Sequence, residues 1–253
     1  MRRCAIPSGL LSFSFSSTSK PKGVKGSLGA GGQGHTKSDT KVPAGTDVWT
    51  LTPDGTLAKH DSSHKLAVPR KKLSAAAAGD VIIFGMGYDD ALPKGTGYSA
   101  AWEMLNTTSG EWTTGTLPSG VARQYGTAVG CGGKVIFAGG QLTGRSDAVD
   151  IFDAATHQWS NATLTVARSN LAAACAANRF AVIAGGQIPG RTTVDVLDTQ
   201  SGQWGTLAPL NFGRGWLVGA GAGDCVVFGS GPGVGGESSA ASVDEYCFGP
   251  MLR

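Results

Sequence analysis

The chain has 253 residues, of which 41% are hydrophobic and 15% are charged, and its formal net charge is +3. Residues 1–38 hold six Lys or Arg and no acid, so the rest of the chain carries 15 basic and 18 acidic side chains. This balance excludes a broadly basic surface of the kind that binds nucleic acids. No apolar run approaches the roughly 18 residues needed for a membrane-spanning helix.

The first segment, residues 1–29, begins with arginines, is rich in serine and has no acid. Such a composition is typical of organelle transit peptides, and a disordered N-terminal extension is the alternative. The apolar stretch at residues 10–15 is interrupted by serines, which makes a poor secretory signal. We therefore expect a cytoplasmic or organellar location rather than secretion, and the location within that choice stays open.

Residues 30–253 contain an internal repeat. Four stretches each start with an arginine, continue through an Ala/Gly-rich run, and end in a β-branched or aromatic run followed by three mostly small residues. The arginines are Arg70, Arg123, Arg168 and Arg214, separated by 53, 45 and 46 residues. The middle residue of the closing triplet lies 17 positions after Arg168 and 16 positions after each of the other three arginines. A period of this length predicts stacked supersecondary units.

Each unit is predicted to hold four short strands, here called a to d. In the clearest unit they are residues 171–174, 180–183, 194–197 and 204–207, separated by turn residues. The 40 glycines and 11 prolines, and the lack of any 3.6-residue periodicity, argue against helices. We therefore predict an all-β domain with small residues in strand a.

A tryptophan opens strand d in each complete unit, six residues after an Asn or Asp. The tryptophans are Trp112, Trp159 and Trp204. Because each supplies a large apolar area, we expect them between adjacent units. The doublets Gly139-Gly140 and Gly185-Gly186 close strand b, where glycine permits a positive φ and close approach of the next sheet.

The Gly-Gly doublet, a strand c of the Val-Asp-x-Leu/Phe-Asp type and the following tryptophan together resemble the kelch repeat, over about residues 30–253. The resemblance implies a β-propeller of four-stranded blades. Blades are predicted at about 70–121, 122–167 and 168–213, with partial blades at 30–69 and 214–253. The second and fifth units depart from the doublet, with Gly85-Met86-Gly87 and Gly229-Ser230-Gly231.

The two partial blades leave ring closure open. The first lacks a recognisable strand a, and the last lacks strand d, because its tryptophan would fall at Arg253. Related propellers usually close with six or seven blades. The alternatives are a fragment of a larger propeller, which we favour, completion by a second copy of the chain, or a small ring closed by the terminal strands. Open ends would expose apolar surface and allow self-association.

A partner-binding face is predicted where the loops before strand a meet the loops between strands b and c. Arginine binds carboxylates and phosphates in a bidentate manner, so this face is expected to take an acidic or phosphorylated segment. The alternative is that each repeated arginine braces its own unit through backbone carbonyls or the strand c acid. The predicted residues are Arg70, Arg123, Gln141, Arg145, Arg168, Gln187, Arg191 and Arg214, beside Lys94.

We therefore predict a non-catalytic protein-interaction module with no cofactor and no metal. The four histidines lack metal-ligand spacing. A galactose-oxidase-like enzyme or carbohydrate-binding domain on the same propeller is the alternative, and a fragment without its own activity is another. The galactose oxidase family uses a copper site with tyrosines and histidines, and the tyrosines here, Tyr88, Tyr98, Tyr125 and Tyr246, do not form a matching set.

The five cysteines form no tidy framework. Cys131 and Cys175 occupy nearly equivalent places in neighbouring units, and we expect structural thiols there. Cys225 and Cys247 share the last unit and could pair if oxidised, and the sequence leaves that pairing open. Asn106 and Asn161 satisfy the N-glycosylation sequon, which matters only for a secreted chain.

Overall fold

A computed structural model describes residues 48–51, 57–60, 65–187, 191–233 and 242–249. Across these ranges the regular secondary structure is entirely antiparallel β-strand. No helix with the length and apolarity of a membrane span occurs in them. The predicted N-terminal segment 1–29 lies outside the described residues.

The strands form five separate antiparallel sheets, numbered in chain order. Sheet one has two strands, β1 (Val48–Leu51) and β2 (Leu57–His60). Sheet two has β3 (Ser74–Ala78), β4 (Val81–Gly85), β5 (Ala101–Asn106) and β6 (Trp112–Thr116). Sheet three has β7 (Thr127–Cys131), β8 (Lys134–Ala138), β9 (Ala148–Asp153) and β10 (Gln158–Thr163). Sheet four has β11 (Ala172–Ala176), β12 (Phe180–Ala184), β13 (Val194–Asp198) and β14 (Trp204–Thr206). Sheet five has β15 (Val218–Ala222), β16 (Cys225–Gly229) and β17 (Val243–Cys247).

The all-β prediction is confirmed, and strands pair with their neighbours in chain order within every sheet. The three four-stranded sheets lie within the predicted units 70–121, 122–167 and 168–213. In the third of these, strand a begins one residue later than predicted, at Ala172, and continues to Ala176. Sheet five has three strands among the described residues, and no sheet closes on itself.

Sheets two to five pack in chain order, each on the next, through apolar clusters. Between sheets two and three, Ile83 and Met104 pack with Phe137 and Phe152. Trp159 joins this cluster, and its ring centroid lies 5.6 Å from that of Trp102 in sheet two. Trp204 packs in the same way on the cluster between sheets three and four. The predicted inter-unit role is therefore confirmed for these two tryptophans.

The first strands of adjacent sheets approach so closely that they need small residues. A Cβ added at Gly130 would lie 1.8 Å from the carbonyl oxygen of Ala77 in the preceding sheet. At Gly221 it would lie 2.0 Å from the carbonyl oxygen of Cys175. Strand a is therefore small because of this backbone-to-backbone contact.

The glycine doublets have the predicted positive φ. Gly139 and Gly140 have φ of 61° and 124°, and Gly185 and Gly186 have 64° and 125°. In sheets two and five the first position of the pair is not glycine, yet Met86 (65°) and Ser230 (63°) keep the same conformation. The turn is thus a property of every unit, including those without the doublet.

Two disulfides cross-link the fold. Cys131 and Cys175 join the first strands of sheets three and four, with Cα atoms 5.5 Å apart. The two cysteines occupy equivalent places in neighbouring units, as predicted, but the prediction of free thiols is wrong, because the close strand approach brings the two sulfurs within bonding distance. Cys225 and Cys247 pair across β16 and β17, which is the pairing that the sequence left open.

The outer face of sheet five is apolar and exposed. Val218 is 57% exposed, Val227 38% and Val243 60%, one on each strand of the sheet. The equivalent face of sheet four, with Ala174, Val182 and Val194, is buried against sheet five. An exposed apolar sheet face is therefore present among the described residues.

Candidate functional site

The four repeated arginines form a buried layer, here called the arginine layer. These residues are 0–1% exposed. Each guanidinium pairs with the carboxylate of the third strand in its own sheet, at 2.6–2.8 Å. The pairs are Arg70–Glu103, Arg123–Asp150, Arg168–Asp195 and Arg214–Asp244.

The 16- and 17-residue spacing found in the sequence corresponds to a hydrogen bond in three units. In each of these the arginine Nε donates to the carbonyl oxygen of the middle residue of the closing triplet. The acceptors are Met86, Gly139 and Gly185, at 2.8, 2.8 and 2.9 Å. Arg214 differs, because its Nη1 and Nη2 donate instead to the carbonyl and hydroxyl oxygens of Ser242.

The carboxylates of the layer also hold the segment that leads into each arginine. Asp150 accepts hydrogen bonds from the backbone N–H and hydroxyl of Ser119 at 2.8 and 2.9 Å. Asp244 accepts one from the backbone N–H of Asn211 at 2.7 Å. These segments come from the preceding sheet. Each carboxylate therefore links the segment that enters its sheet to the third strand of that sheet.

The arginine backbone adds a link in the other direction. In three places the last glycine of one triplet donates its N–H to the carbonyl oxygen of the next unit's arginine. The pairs are Gly87 to Arg123, Gly140 to Arg168 and Gly186 to Arg214, at 2.8, 2.9 and 2.9 Å. The same residue thus braces its own sheet with its side chain and the neighbouring sheet with its backbone.

Burial lowers the pKa of Arg123 and of Arg168, and the charges of Asp150 and Asp195 oppose that shift. A buried charge is stable only when it is paired and hydrogen-bonded. Each guanidinium of the layer has a carboxylate partner in its own sheet and at least one further oxygen acceptor, although the Nη2 of Arg70 has no hydrogen-bond partner among the described residues. A partner could not pair with them without opening the sheet packing, so these four predicted site residues have a bracing role in the structure.

The other predicted site residues remain at the loops. Arg145 and Lys94 are exposed, and Gln141 and Gln187 are half-buried. Gln141 forms backbone bridges with both Gln124 and Arg145, which places Arg145 beside the loop before β7. Arg191 is half-buried and its Nη1 donates to the carbonyl oxygen of Gly233 at 3.2 Å. The structure thus keeps Arg145, Lys94 and the two glutamines accessible on the predicted face.

A second repeated feature lies two residues after each arginine. Here the backbone is left-handed in all four units although none of the residues is glycine. The residues, here called the left-handed positions, are Lys72, Tyr125, Asn170 and Trp216, with φ of 58°, 58°, 58° and 59°. Glycine would adopt this conformation at no steric cost, whereas other L-residues pay about 1 kcal/mol or more. Strain retained at four equivalent positions favours a role for the side chains.

Three of these side chains belong to a continuous row of rings and charge, here called the aromatic row. Tyr98 packs edge-on against Tyr88, with centroids 5.2 Å apart. The Lys72 ammonium lies 5.7 Å from the Tyr88 ring and 4.5 Å from the Tyr125 ring. Tyr125 in turn packs edge-on against Trp216 at 5.2 Å. Trp216 is 51% exposed, so the row ends in a large accessible ring.

The aromatic row was not among the predicted site residues. Lys, Tyr, Asn and Trp have no common side-chain chemistry, so no pattern marks their shared backbone conformation. The available signal was the register: each lies at the same distance from the repeated arginine and just before strand a. When the units are aligned on the arginine, this position differs in residue type from unit to unit and mostly holds a large side chain.

Among the described residues, one group of three has side chains that could hold a metal ion. It consists of Cys225, Glu245 and Cys247, and both of its sulfurs are joined in a disulfide. An open groove of about 460 Å³ lies between the outer strands of sheets three and four, where Trp159 and Trp204 contribute to its lining. The groove also contains the Lys134–Asp153 ion pair, which lowers the pKa of Asp153.

No protein-family model matches this sequence, and no curated protein matches it.

Proposed function

We propose that the chain is a non-catalytic interaction module that binds an acidic segment of a partner protein on the loop face. This face consists of the loops before strand a and those between strands b and c. The observation that carries the proposal is the aromatic row, which keeps left-handed backbone strain at Lys72, Tyr125 and Trp216. Aromatic side chains are enriched at the centres of protein interfaces because they supply large, rigid contact area.

The charge of the partner segment follows from the accessible cations of the face. Lys72 lies within the aromatic row, and Arg145 and Lys94 are exposed on neighbouring loops. Charged groups of one sign select a partner segment of the opposite sign and increase its rate of association. The arginine layer takes no direct part, because its guanidinium groups are paired inside the sheets.

We also propose that the sheets are blades of a kelch-type β-propeller. Support comes from the four-stranded units, the inter-sheet tryptophans and the positive-φ glycine doublets. In such an arrangement the loop face surrounds the opening formed by the first strands, so that the aromatic row lies at its rim.

The test is selection of a phage-displayed random peptide library on the immobilised full chain. We expect the selected peptides to be enriched in Asp and Glu, and to lose roughly tenfold or more in affinity for Trp216→Ala and Arg145→Gln. Arg179→Gln is the matched control, because Arg179 is a partly exposed arginine in the turn between β11 and β12, at the opposite end of the strands. Peptides without acidic bias, or equal binding by all variants, would contradict the proposal.

A further inference from the structure

The outermost strand of sheet three carries an accessible glycosylation sequon. Asn161, Ala162 and Thr163 form the triplet Asn-x-Thr at the end of β10, which is the edge strand of the sheet. The side chains of Asn161 and Thr163 are both exposed. Among the described residues the side-chain amide of Asn161 makes no hydrogen bond within the protein. Attaching a sugar to this amide would therefore break no contact that supports the fold.

The second sequon has the same chemistry in a different environment. The Asn106 amide nitrogen donates to Asp80 at 2.9 Å, and its carbonyl oxygen accepts the backbone N–H groups of Thr108 and Ser109, both at 2.9 Å. These bonds build the turn between β5 and β6. Asn106 thus has a structural role, and it is a matched control for Asn161 within the same chain.

The two disulfides indicate which cellular environment the folded chain requires. Disulfides persist in oxidising compartments and are rare in the cytosol, where thiols are kept reduced. One bridge links sheets three and four and the other links two strands of sheet five, so four of the five cysteines are paired. This evidence favours maturation in the secretory pathway over the cytoplasmic or organellar location expected from residues 1–29. N-glycosylation takes place in that pathway, at sequons on the protein surface.

We propose that Asn161 is an N-glycosylation site. The Asn161 Nδ2 forms a bond to the anomeric carbon of a dolichyl-diphosphate-linked oligosaccharide. The bond from that carbon to the diphosphate oxygen breaks, dolichyl diphosphate leaves, and Nδ2 loses one proton to a base of the transferase. No electron transfer is involved, and the acceptor keeps its amide.

The position also gives the glycan a physical effect. An edge strand presents unpaired backbone groups that can pair with another chain, and natural proteins protect such edges. β10 is six residues long and four of its side chains are exposed. A bulky, hydrated glycan at Asn161 would block this edge against pairing with a second molecule.

The test is expression of the full chain with an added secretory signal, followed by mass mapping of both sequons before and after peptide-N-glycosidase treatment. Wild type and Asn106→Gln should carry a glycan on Asn161, whereas Asn161→Gln and Thr163→Ala should carry none there. Translation with microsomes gives the same readout for any variant that fails to be secreted. A peptide map without reductant should show Cys131 linked to Cys175.

An unmodified Asn161 in wild-type chain that has entered the lumen would overturn the proposal. Free thiols at Cys131 and Cys175 in that material would overturn the compartment argument on which it rests. Neither result depends on the partner-binding face, so the outcome is independent of the proposed function.

Discussion

The arginine layer and the left-handed positions lie two residues apart in the same four loops, and they differ in every other respect. The arginines are identical in all four units, buried, and paired inside their own sheets. The left-handed positions hold four different residues, and three of those side chains meet in an accessible row. A residue that recurs in every unit serves the packing that every unit shares. A position whose residue type changes from unit to unit, while its backbone stays strained, can contribute to a binding site that occurs only once in the chain.

The largest expected effect comes from breaking the arginine layer. Arg123→Met removes one partner of a buried pair and leaves Asp150 charged without its partner, so we expect a loss of about 3–5 kcal/mol in the free energy of unfolding. Urea unfolding followed by circular dichroism measures this loss.

Two variants make that result specific. Arg179→Met removes an arginine from the partly exposed pair with Asp198 and should change stability little, because solvent screens such pairs. Replacing both Arg123 and Asp150 with apolar residues of similar volume should recover part of the loss. A single Arg123→Met variant as stable as wild type would show that the arginine layer does not stabilise the fold.

The next largest effect concerns the covalent link between sheets three and four. The double variant Cys131→Ser/Cys175→Ser opens a bridge between residues 44 apart and should lower the free energy of unfolding by about 2–4 kcal/mol. The comparison to make is with Cys225→Ser/Cys247→Ser, which opens a loop of 22 residues and is expected to cost less. The reverse order, measured in the same urea series, would contradict this ranking.

A smaller effect separates strain from function. Ser230 is exposed and has φ of 63° without being part of the aromatic row. Ser230→Gly relieves the left-handed conformation, partly offset by the greater freedom of glycine in the unfolded chain, so we expect a gain of up to about 1 kcal/mol. Thermal unfolding should show a higher midpoint with unchanged peptide binding, and a lower midpoint would mean that the position carries no strain.

The smallest effect is a dependence on pH. Two hydrogen bonds from the Arg179 guanidinium hold the pKa of Asp198 well below its usual range. Because the folded-state pKa is depressed, the pair stabilises the fold above the unfolded-state pKa of about 3.9, and this contribution is lost as the pH falls through the folded-state value. The difference in urea midpoint between wild type and Asp198→Asn should therefore be constant above about pH 5 and shrink below about pH 4. A difference that grows on acidification would contradict this sign.

Much of the fold could be predicted from the sequence, because repetition marks it. Strand positions, the φ of the glycine doublets and the inter-sheet packing of Trp159 and Trp204 all follow from residue types that recur at fixed spacing. The direction of the arginine side chains could not be predicted. Spacing places Arg123 near both the loop face and the third strand, and only the three-dimensional position of Asp150 decides between them.

The Cys131–Cys175 disulfide and the aromatic row could not be predicted from the sequence, for related reasons. Pairing of Cys131 with Cys175 requires the first strands of sheets three and four to lie close enough to bring the sulfurs together, and the two cysteines alone do not indicate that distance. A left-handed backbone is visible in a sequence when glycine occupies it. At Lys72, Tyr125 and Trp216 it is hidden, because none of these residue types indicates a positive φ.

The central claim is that the repeated arginines stabilise the sheets while the aromatic row binds the partner. Its most direct test is the affinity of one selected acidic peptide for wild type and for the double variant Tyr125→Gly/Trp216→Gly, measured by isothermal titration calorimetry. Glycine suits the left-handed backbone at both positions, so the variant should stay folded with an unfolding midpoint close to that of wild type. We predict that its affinity falls by roughly tenfold or more, because both rings of the row are removed. An unchanged affinity in a folded variant would contradict the assignment of the aromatic row as the binding site.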